Sequence, residues 1–140
     1  MNYYVITPAK NEEKFIIFTL DSMVNQLLKP VKWIIVDDGS TDKTKEIVEK
    51  YQKEHNWIEI VTINNQQEQK TYGSKVIRAF NQGYKLIKDK PYDFIVKLDA
   101  DLSFPPEYFS DIAAAYAANP KLGICGGFIV EKESDFITKS

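Results

Sequence analysis

Phe94-Ile95-Val96-Lys97-Leu98-Asp99-Ala100-Asp101 is a short apolar run that ends abruptly in two carboxylates separated by one alanine. A run of this length, broken only by Lys97, reads as a strand buried on both faces. Its acids then sit at the strand's carboxyl end, the edge at which open α/β sheets bind ligands. Two carboxylates this close repel each other unless something positive lies between them, and a hard divalent cation is the usual partner. The stretch therefore points to a metal-assisted site for a phosphorylated ligand.

Upstream, residues 3–7 form a β-type run that Pro8 ends. Asn11 then reads as a helix N-cap, with Glu12 and Glu13 in the first turn, where the helix dipole favours acids. Ile16, Leu20, Met23 and Leu27 follow at helical spacing as a core-facing stripe, and Pro30 stops the helix. Residues 33–36 are a second buried strand, leading into the turn Asp37-Asp38-Gly39-Ser40-Thr41-Asp42. Ser40 or Thr41 is expected to cap the next helix, whose inner face is Ile47, Val48 and Tyr51. Residues 58–63 make a third strand, and 64–72 read as a polar, mobile loop. Gly73 opens a third helix with a stripe of Val76, Ile77, Phe80, Tyr84 and Ile87.

Downstream of the opening strand, Pro105-Pro106 fits a helix start with proline at its first positions. Tyr108, Phe109, Ile112 and Tyr116 form that helix's stripe, and Asn119-Pro120 ends it. Residues 122–130 are a fifth β-type run with Gly126-Gly127 inside it, and the tail beyond Glu131 is polar. The alternation of strands and helices predicts an α/β fold, a mostly parallel sheet with helices on both faces and right-handed crossovers. Parallel strands bring three polar turns to one edge: 7–12, 37–42 and 99–101.

Composition narrows the classes. A chain of 140 residues suits one domain with one core. The net charge of -2 gives no case for nucleic acid as a partner. The lone Cys125 excludes an intrachain disulfide, fits a reducing compartment and reads as a small core residue. The first residues carry no basic n-region and no long apolar segment, so no signal peptide is expected. No apolar run approaches the roughly 20 residues of a membrane span.

With an extended backbone, Asp99 and Asp101 point to the same side. A cation held by one or both suits Mg²⁺ or Mn²⁺, with phosphate and water completing the shell. As a purely structural feature, the pair is a turn in which one acid caps the next helix. Asp37 and Asp38 can accept hydrogen bonds from ribose hydroxyls or a base N–H, or can serve only as turn and cap. Pro8, Asn11 and Glu12 read locally as a strand end and a cap. Lys75 and Arg78, early in the third helix, can pair with phosphate, although Arg78 fits a solvated face better. Neither a Walker A loop nor a G-x-G-x-x-G fingerprint occurs.

Four motifs in order resemble family 2 glycosyltransferases, inverting enzymes of the GT-A (Rossmann-like) fold. They are Pro8-Ala9-Lys10-Asn11-Glu12, Val36-Asp37-Asp38-Gly39-Ser40-Thr41-Asp42, Gly73 with Ala79-Phe80-Asn81-Gln82-Gly83, and Leu98-Asp99-Ala100-Asp101. Asp99-Ala100-Asp101-Leu102-Ser103 is also similar to the branch that transfers sugars to polyprenyl phosphates. The resemblance implies a nucleotide diphosphate sugar as donor, UDP- or GDP-linked, with Mg²⁺ or Mn²⁺. It implies that Thr7, Pro8 and Ala9 line the base pocket with Glu12 nearby, and that Asp38 binds the base and Asp37 the ribose side. Lys75 would approach the phosphates, Asp99 would contact ribose or metal, and Asp101 would be the principal metal ligand. The acceptor would be a saccharide or lipid-linked molecule. The implied setting is cell-envelope polysaccharide synthesis in the cytoplasm, peripheral at the inner face of the membrane.

An inverting transferase also needs a base for the acceptor hydroxyl. In this family that carboxylate lies well downstream, in an acceptor-binding half. Of the acids late in this chain, Glu131, Glu133 and Asp135, none is assigned that role, and the family's later Q-x-x-R-W-type motif is absent. Residues 1–140 therefore read as a single donor-binding domain that stops short of the acceptor half, with self-association into a homo-oligomer as a further expectation. One alternative is a non-catalytic nucleotide-sugar-binding module. Another follows from Asp-x-Asp-x-Ser, which also resembles haloacid dehalogenase phosphatases, where the first Asp is a nucleophile on the first strand.

Overall fold

The computed structural model of the chain describes residues 1–63 and 72–119. Among the described residues eight elements alternate: β1 (Tyr3–Ala9), α1 (Ile16–Val24), β2 (Lys32–Asp37), α2 (Thr44–Glu54), β3 (Ile58–Thr62), α3 (Tyr72–Lys85), β4 (Phe94–Lys97) and α4 (Tyr108–Ala118). Of the expected loop over 64–72, Tyr72 instead begins α3, while 64–71, the fifth β-type run with Gly126-Gly127, Cys125 and the late acids lie outside the described residues. The four strands form one parallel sheet in the order β3-β2-β1-β4. In register, Ile6 sits between Ile34 of β2 and Lys97 of β4.

The order follows from the handedness of the crossovers. Steps from β1 to β2 to β3 run one way across the sheet and lay α1 and α2 on one face. The return from β3 past β2 and β1 to β4 lays α3 on the other face, as a right-handed connection requires. Period-2 alternation along the strands supplies both faces. Tyr3, Val5, Trp33 and Ile35 pack with Ile16, Leu20, Val48, Phe109 and Ile112. Tyr4, Ile6, Ile34 and Val36 pack with Ala79 of α3 and with Ile87.

Two expected stripes differ in the structure. Leu27 lies beyond the end of α1 at Val24 and is 73% exposed. Val76 and Ile77 are 41% and 60% exposed rather than buried. The small residues Ala79 and Gly83 face the sheet instead, with Phe80 and Tyr84 flanking them as a stacked pair at 6.4 Å. The physical reason is closeness. A Cβ on Gly83 would lie 2.8 Å from Cγ2 of Ile6 and 3.1 Å from Cγ2 of Val36, so the helix axis sits too near the sheet for large side chains at its contact line.

That contact generates a prediction. Both isoleucine and valine are β-branched and stiff, so they cannot turn away cheaply. Overpacking of this kind costs about 1–3 kcal/mol, more than the roughly 0.5–1 kcal/mol that alanine gains over glycine within a helix. Gly83→Ala is expected to lower stability by about 1 kcal/mol in urea unfolding, with an unchanged m-value. Equal or greater stability would show that the interface relaxes around a methyl group.

Candidate functional site

The carboxyl ends of β1, β2 and β4 meet α3 around a cleft of about 540 Å³. Its walls are Pro8 to Glu12, Asp38, Lys75, Val76, Ala79, Lys97 and Asp99 to Asp101.

The β1 wall is held in an unexpected way. Asn11 does not cap α1, which begins at Ile16 after Phe15 and has no acid in its first turn. Asn11 instead adopts a left-handed backbone, φ 53°, and its side chain accepts a hydrogen bond from the Thr41 N–H at 2.8 Å. Further bonds lace the same two loops. The N–H groups of Asn11, Glu12 and Glu13 donate to Ser40 Oγ, Thr44 Oγ1 and Asp42 Oδ2 at 2.9, 2.8 and 3.1 Å. The Lys43 N–H donates to Glu13 Oε1 at 2.9 Å. Neither Ser40 nor Thr41 caps α2, whose N-cap position is Lys43; Asp42 Oδ1 instead accepts from both the N–H and the hydroxyl of Thr44 at the helix start. Local desolvation pushes the Asp42 carboxyl up, but the bonds from Thr44 and Glu13 outweigh it and hold its pKa below the usual value. The two loops satisfy each other's unpaired backbone donors, which a reading of either loop alone assigns to local caps.

Thr7 and Asp37 lie behind this rim rather than in it. Thr7 is fully buried, and its Oγ1 accepts from the Trp33 indole N–H at 2.8 Å. Asp37 is 2% exposed and accepts from the Ser40 N–H at 3.3 Å, closing the turn at Gly39, whose φ is 72°. Asp38, 7% exposed, borders the cleft, and its N–H is tied to the Ala9 carbonyl at 2.9 Å. Of the expected nucleotide-binding residues, the structure thus brings Pro8, Ala9, Glu12, Asp38, Lys75 and Asp99 together, and Arg78 is not part of the lining.

On the β4 wall, Leu98 and Ala100 are buried while Asp99 and Asp101 are exposed at the cleft. Lys97 lies on the same side as Asp99, and its Nζ pairs with Asp99 Oδ1 at 3.1 Å. At this exposure such a pair stabilises the fold little. Burial raises the pKa of Glu12, and the charges of Asp101, Asp99 and Asp42 raise it further. Among the described residues no three His, Cys, Asp or Glu side chains cluster as a metal cage. The donor set is hard oxygen from Asp99 and Asp101, which fits Mg²⁺ or Mn²⁺ sharing its shell with phosphate and water.

Lys97, Lys10, Asn11, Ala100, Val76 and Ala79 also line the cleft without having been singled out as ligand contacts. Lys97 was visible as the one charge in an apolar strand, two residues before Asp99. Lys10 and Asn11 lay within the stretch from Pro8 to Glu12. Val76 and Ala79 had no local signal, because only the docking of α3 brings them to the edge.

Residues 4–140 match the family described as Glycosyl transferase family 2. A curated relative from Methanococcus voltae is 31% identical over 136 residues. It is named dolichyl N-acetyl-alpha-D-glucosaminyl phosphate 3-beta-D-2,3-diacetamido-2,3-dideoxy-beta-D-glucuronosyltransferase, and the match covers 92% of this chain and 40% of that protein. Among solved structures, S. aureus TarS 1-349 in complex with UDP-GlcNAc aligns with a TM-score of 0.65 and 28% identity, over 86% of this chain and 32% of that one. The fold is shared with mannosyltransferase PcManGT from Pyrobaculum calidifontis, solved with GDP-Man and Mn²⁺. There the TM-score is 0.63 and the identity 24%, over 85% of this chain and 33% of that one. The chain thus spans about a third to two fifths of these proteins. The Asp99-Ala100-Asp101 motif follows the fourth strand of a parallel sheet of this type, not the first strand of a phosphatase. The fold is that of the GT-A glycosyltransferases, and the chain belongs to glycosyl transferase family 2.

Proposed function

We propose that this chain supplies the donor-binding part of a glycosyltransferase that uses a nucleotide diphosphate sugar, UDP- or GDP-linked, with Mg²⁺ or Mn²⁺. The observation that carries the reading is the convergence of Asp38, Lys75, Asp99 and Asp101 on one cleft at the carboxyl edge of the sheet. Four carboxylates there face three lysines, so the cleft carries net negative charge. A diphosphate entering alone would add to that charge, and a divalent cation at Asp101 and Asp99 removes the conflict.

Pro8, Ala9 and Asp38 form the wall for the base, with Glu12 beside them. Thr7 and Asp37 act from behind, one tied to Trp33 and the other closing the turn that carries Asp38. Lys75 and Lys97 offer ammonium groups to the phosphates. When bound, the cation would neutralise charge developing on the departing diphosphate. None of the described residues is assigned as base for the acceptor hydroxyl. The acceptor class is a saccharide or a lipid-linked molecule, the latter supported by the dolichyl phosphate in the name of the Methanococcus voltae relative. A peripheral site at the inner membrane face fits that class. Among the described residues, no helix is long and apolar enough to cross a membrane. A second reading is a nucleotide-sugar-binding module without turnover. Donor hydrolysis or transfer by the 140-residue chain separates the two.

Calorimetry with UDP, GDP and their sugars, with and without Mn²⁺, tests the site. Binding is expected to strengthen with Mn²⁺, and Asp101→Ala is expected to remove about tenfold or more of that gain, roughly 1.4 kcal/mol. Metal-dependent binding that survives the substitution unchanged would sink the assignment.

Glu12 gives a test by pH. Its folded-state pKa is raised, so the unfolded chain loses this proton first, and the fold loses stability as pH rises between the unfolded and folded values. At neutral pH, without metal, Glu12→Gln is expected to raise the melting temperature. The difference should shrink as pH falls below the ordinary glutamate value of 4.5. A pH-independent difference would assign the effect to packing.

A further inference from the structure

One stripe of α1 is committed to the segment that follows Asp101. Thr19 and Ser22 of α1 stand three residues apart and share a helix side, and Gln26 follows just beyond the helix's end. Thr19 is fully buried and Gln26 is 1% exposed. Thr19 Oγ1 donates to the Leu102 carbonyl at 2.8 Å and accepts from the Leu102 N–H at 2.8 Å. Ser22 Oγ accepts from the Phe104 N–H at 3.1 Å. Gln26 Nε2 donates to the Pro105 carbonyl at 2.7 Å, and its Oε1 accepts from the Phe109 N–H at 2.9 Å in the first turn of α4.

A buried threonine in a helix can satisfy its hydroxyl on its own preceding turn. Thr19 instead spends both its donor and its acceptor on one residue of another segment. β4 ends at Lys97, and the Leu98 N–H still reaches the Ile6 carbonyl at 3.0 Å. Beyond that point the bonds from α1 take over the work of the sheet. The Leu102 N–H belongs to the peptide formed by the Asp101 carbonyl, so the hydroxyl of Thr19 fixes the plane of the peptide that leaves Asp101. Fixing that plane sets the backbone from which the Asp101 carboxylate projects toward the cleft.

We propose that Thr19 is a positioning residue for Asp101, holding its carboxylate in the cation-binding orientation through the paired hydrogen bonds to Leu102. The inference rests on the reading of Asp101 as the metal ligand. Outer groups that orient a ligand in this way typically change metal affinity by about 10–100-fold when removed.

The test compares Thr19→Val, which keeps the shape and removes the hydroxyl, with Thr19→Ser, which restores it. Two readouts are taken: hydrogen exchange of the Leu102 amide, and calorimetry of UDP and of GDP with and without Mn²⁺. In Thr19→Val, exchange at Leu102 is expected to rise and the Mn²⁺-dependent affinity to fall about tenfold or more. Metal-free nucleotide affinity should stay unchanged, and Thr19→Ser should recover the wild-type pattern. Wild-type Mn²⁺ dependence in a folded Thr19→Val protein overturns the inference alone, as does a loss that serine fails to rescue. A wild-type chain with no Mn²⁺-dependent binding overturns the donor-site reading and this inference with it. If Thr19→Val does not fold, Ser22→Ala carries the test, because it removes the neighbouring bond to Phe104 from a half-buried position. A loss confined to the Mn²⁺-dependent part supports the positioning role, and unchanged binding overturns it.

Discussion

β1 is hydrogen-bonded along both edges, to β2 and β4, and packed on both faces, and the rest of the fold answers to that position. A parallel neighbour on each side cannot be reached by a tight turn, so every connection must cross a face of the sheet. The crossovers carry the helices, and the helices bury the strands. Tyr3 shows the density that results. Its ring stacks between Phe94 and Phe109 at 5.1 and 5.0 Å, and its hydroxyl donates to the Leu28 carbonyl. Burial pushes its phenol pKa well up. Each large side chain buried this way stabilises the fold by about 1.5–3 kcal/mol.

Strands buried on both faces leave little room for polar groups along their length. Polar residues collect at the strand ends, and parallel pairing gathers those ends on one edge. The cleft is a consequence of the same constraint that builds the core. Its rim is ordered by cross-loop hydrogen bonds. The β1 and β2 loops share Asn11, Glu13, Ser40, Asp42 and Thr44 as mutual caps. The segment after β4 is pinned by α1. A rim held this way loses less conformational entropy on binding than free loops would.

Much of this was legible along the chain. Apolar runs at 3–7, 33–36, 58–63 and 94–98 marked the strands, since a buried parallel strand needs apolar side chains on both sides. The acids at 37–38 and 99–101 marked the functional edge. Where periodicity misled, the cause was tertiary. Leu27 continued the helical spacing of α1 past the point where the helix ends. Val76 and Ile77 outweighed Ala79 and Gly83 in hydrophobicity, but the near approach of α3 to Ile6 and Val36 gave the contact to the smaller residues. Lys97 was plain in the sequence, yet its place beside Asp99 at the cleft carried weight only once β4 had its partner.

The sequence by itself determined the alternation of elements, the parallel sheet and the strand ends at which acids would gather. Those depend on side-chain period and on residues within one turn or one strand of each other. The tertiary structure alone decided that Asp38 borders the cleft while Asp37 closes a turn, that Asn11 serves the opposite loop, and that Thr19 holds the chain after Asp101. The assignments of Asn11 and Thr19 rest on hydrogen bonds between residues far apart in sequence. Such partners are chosen by strand order and helix docking, which no local pattern of side chains contains.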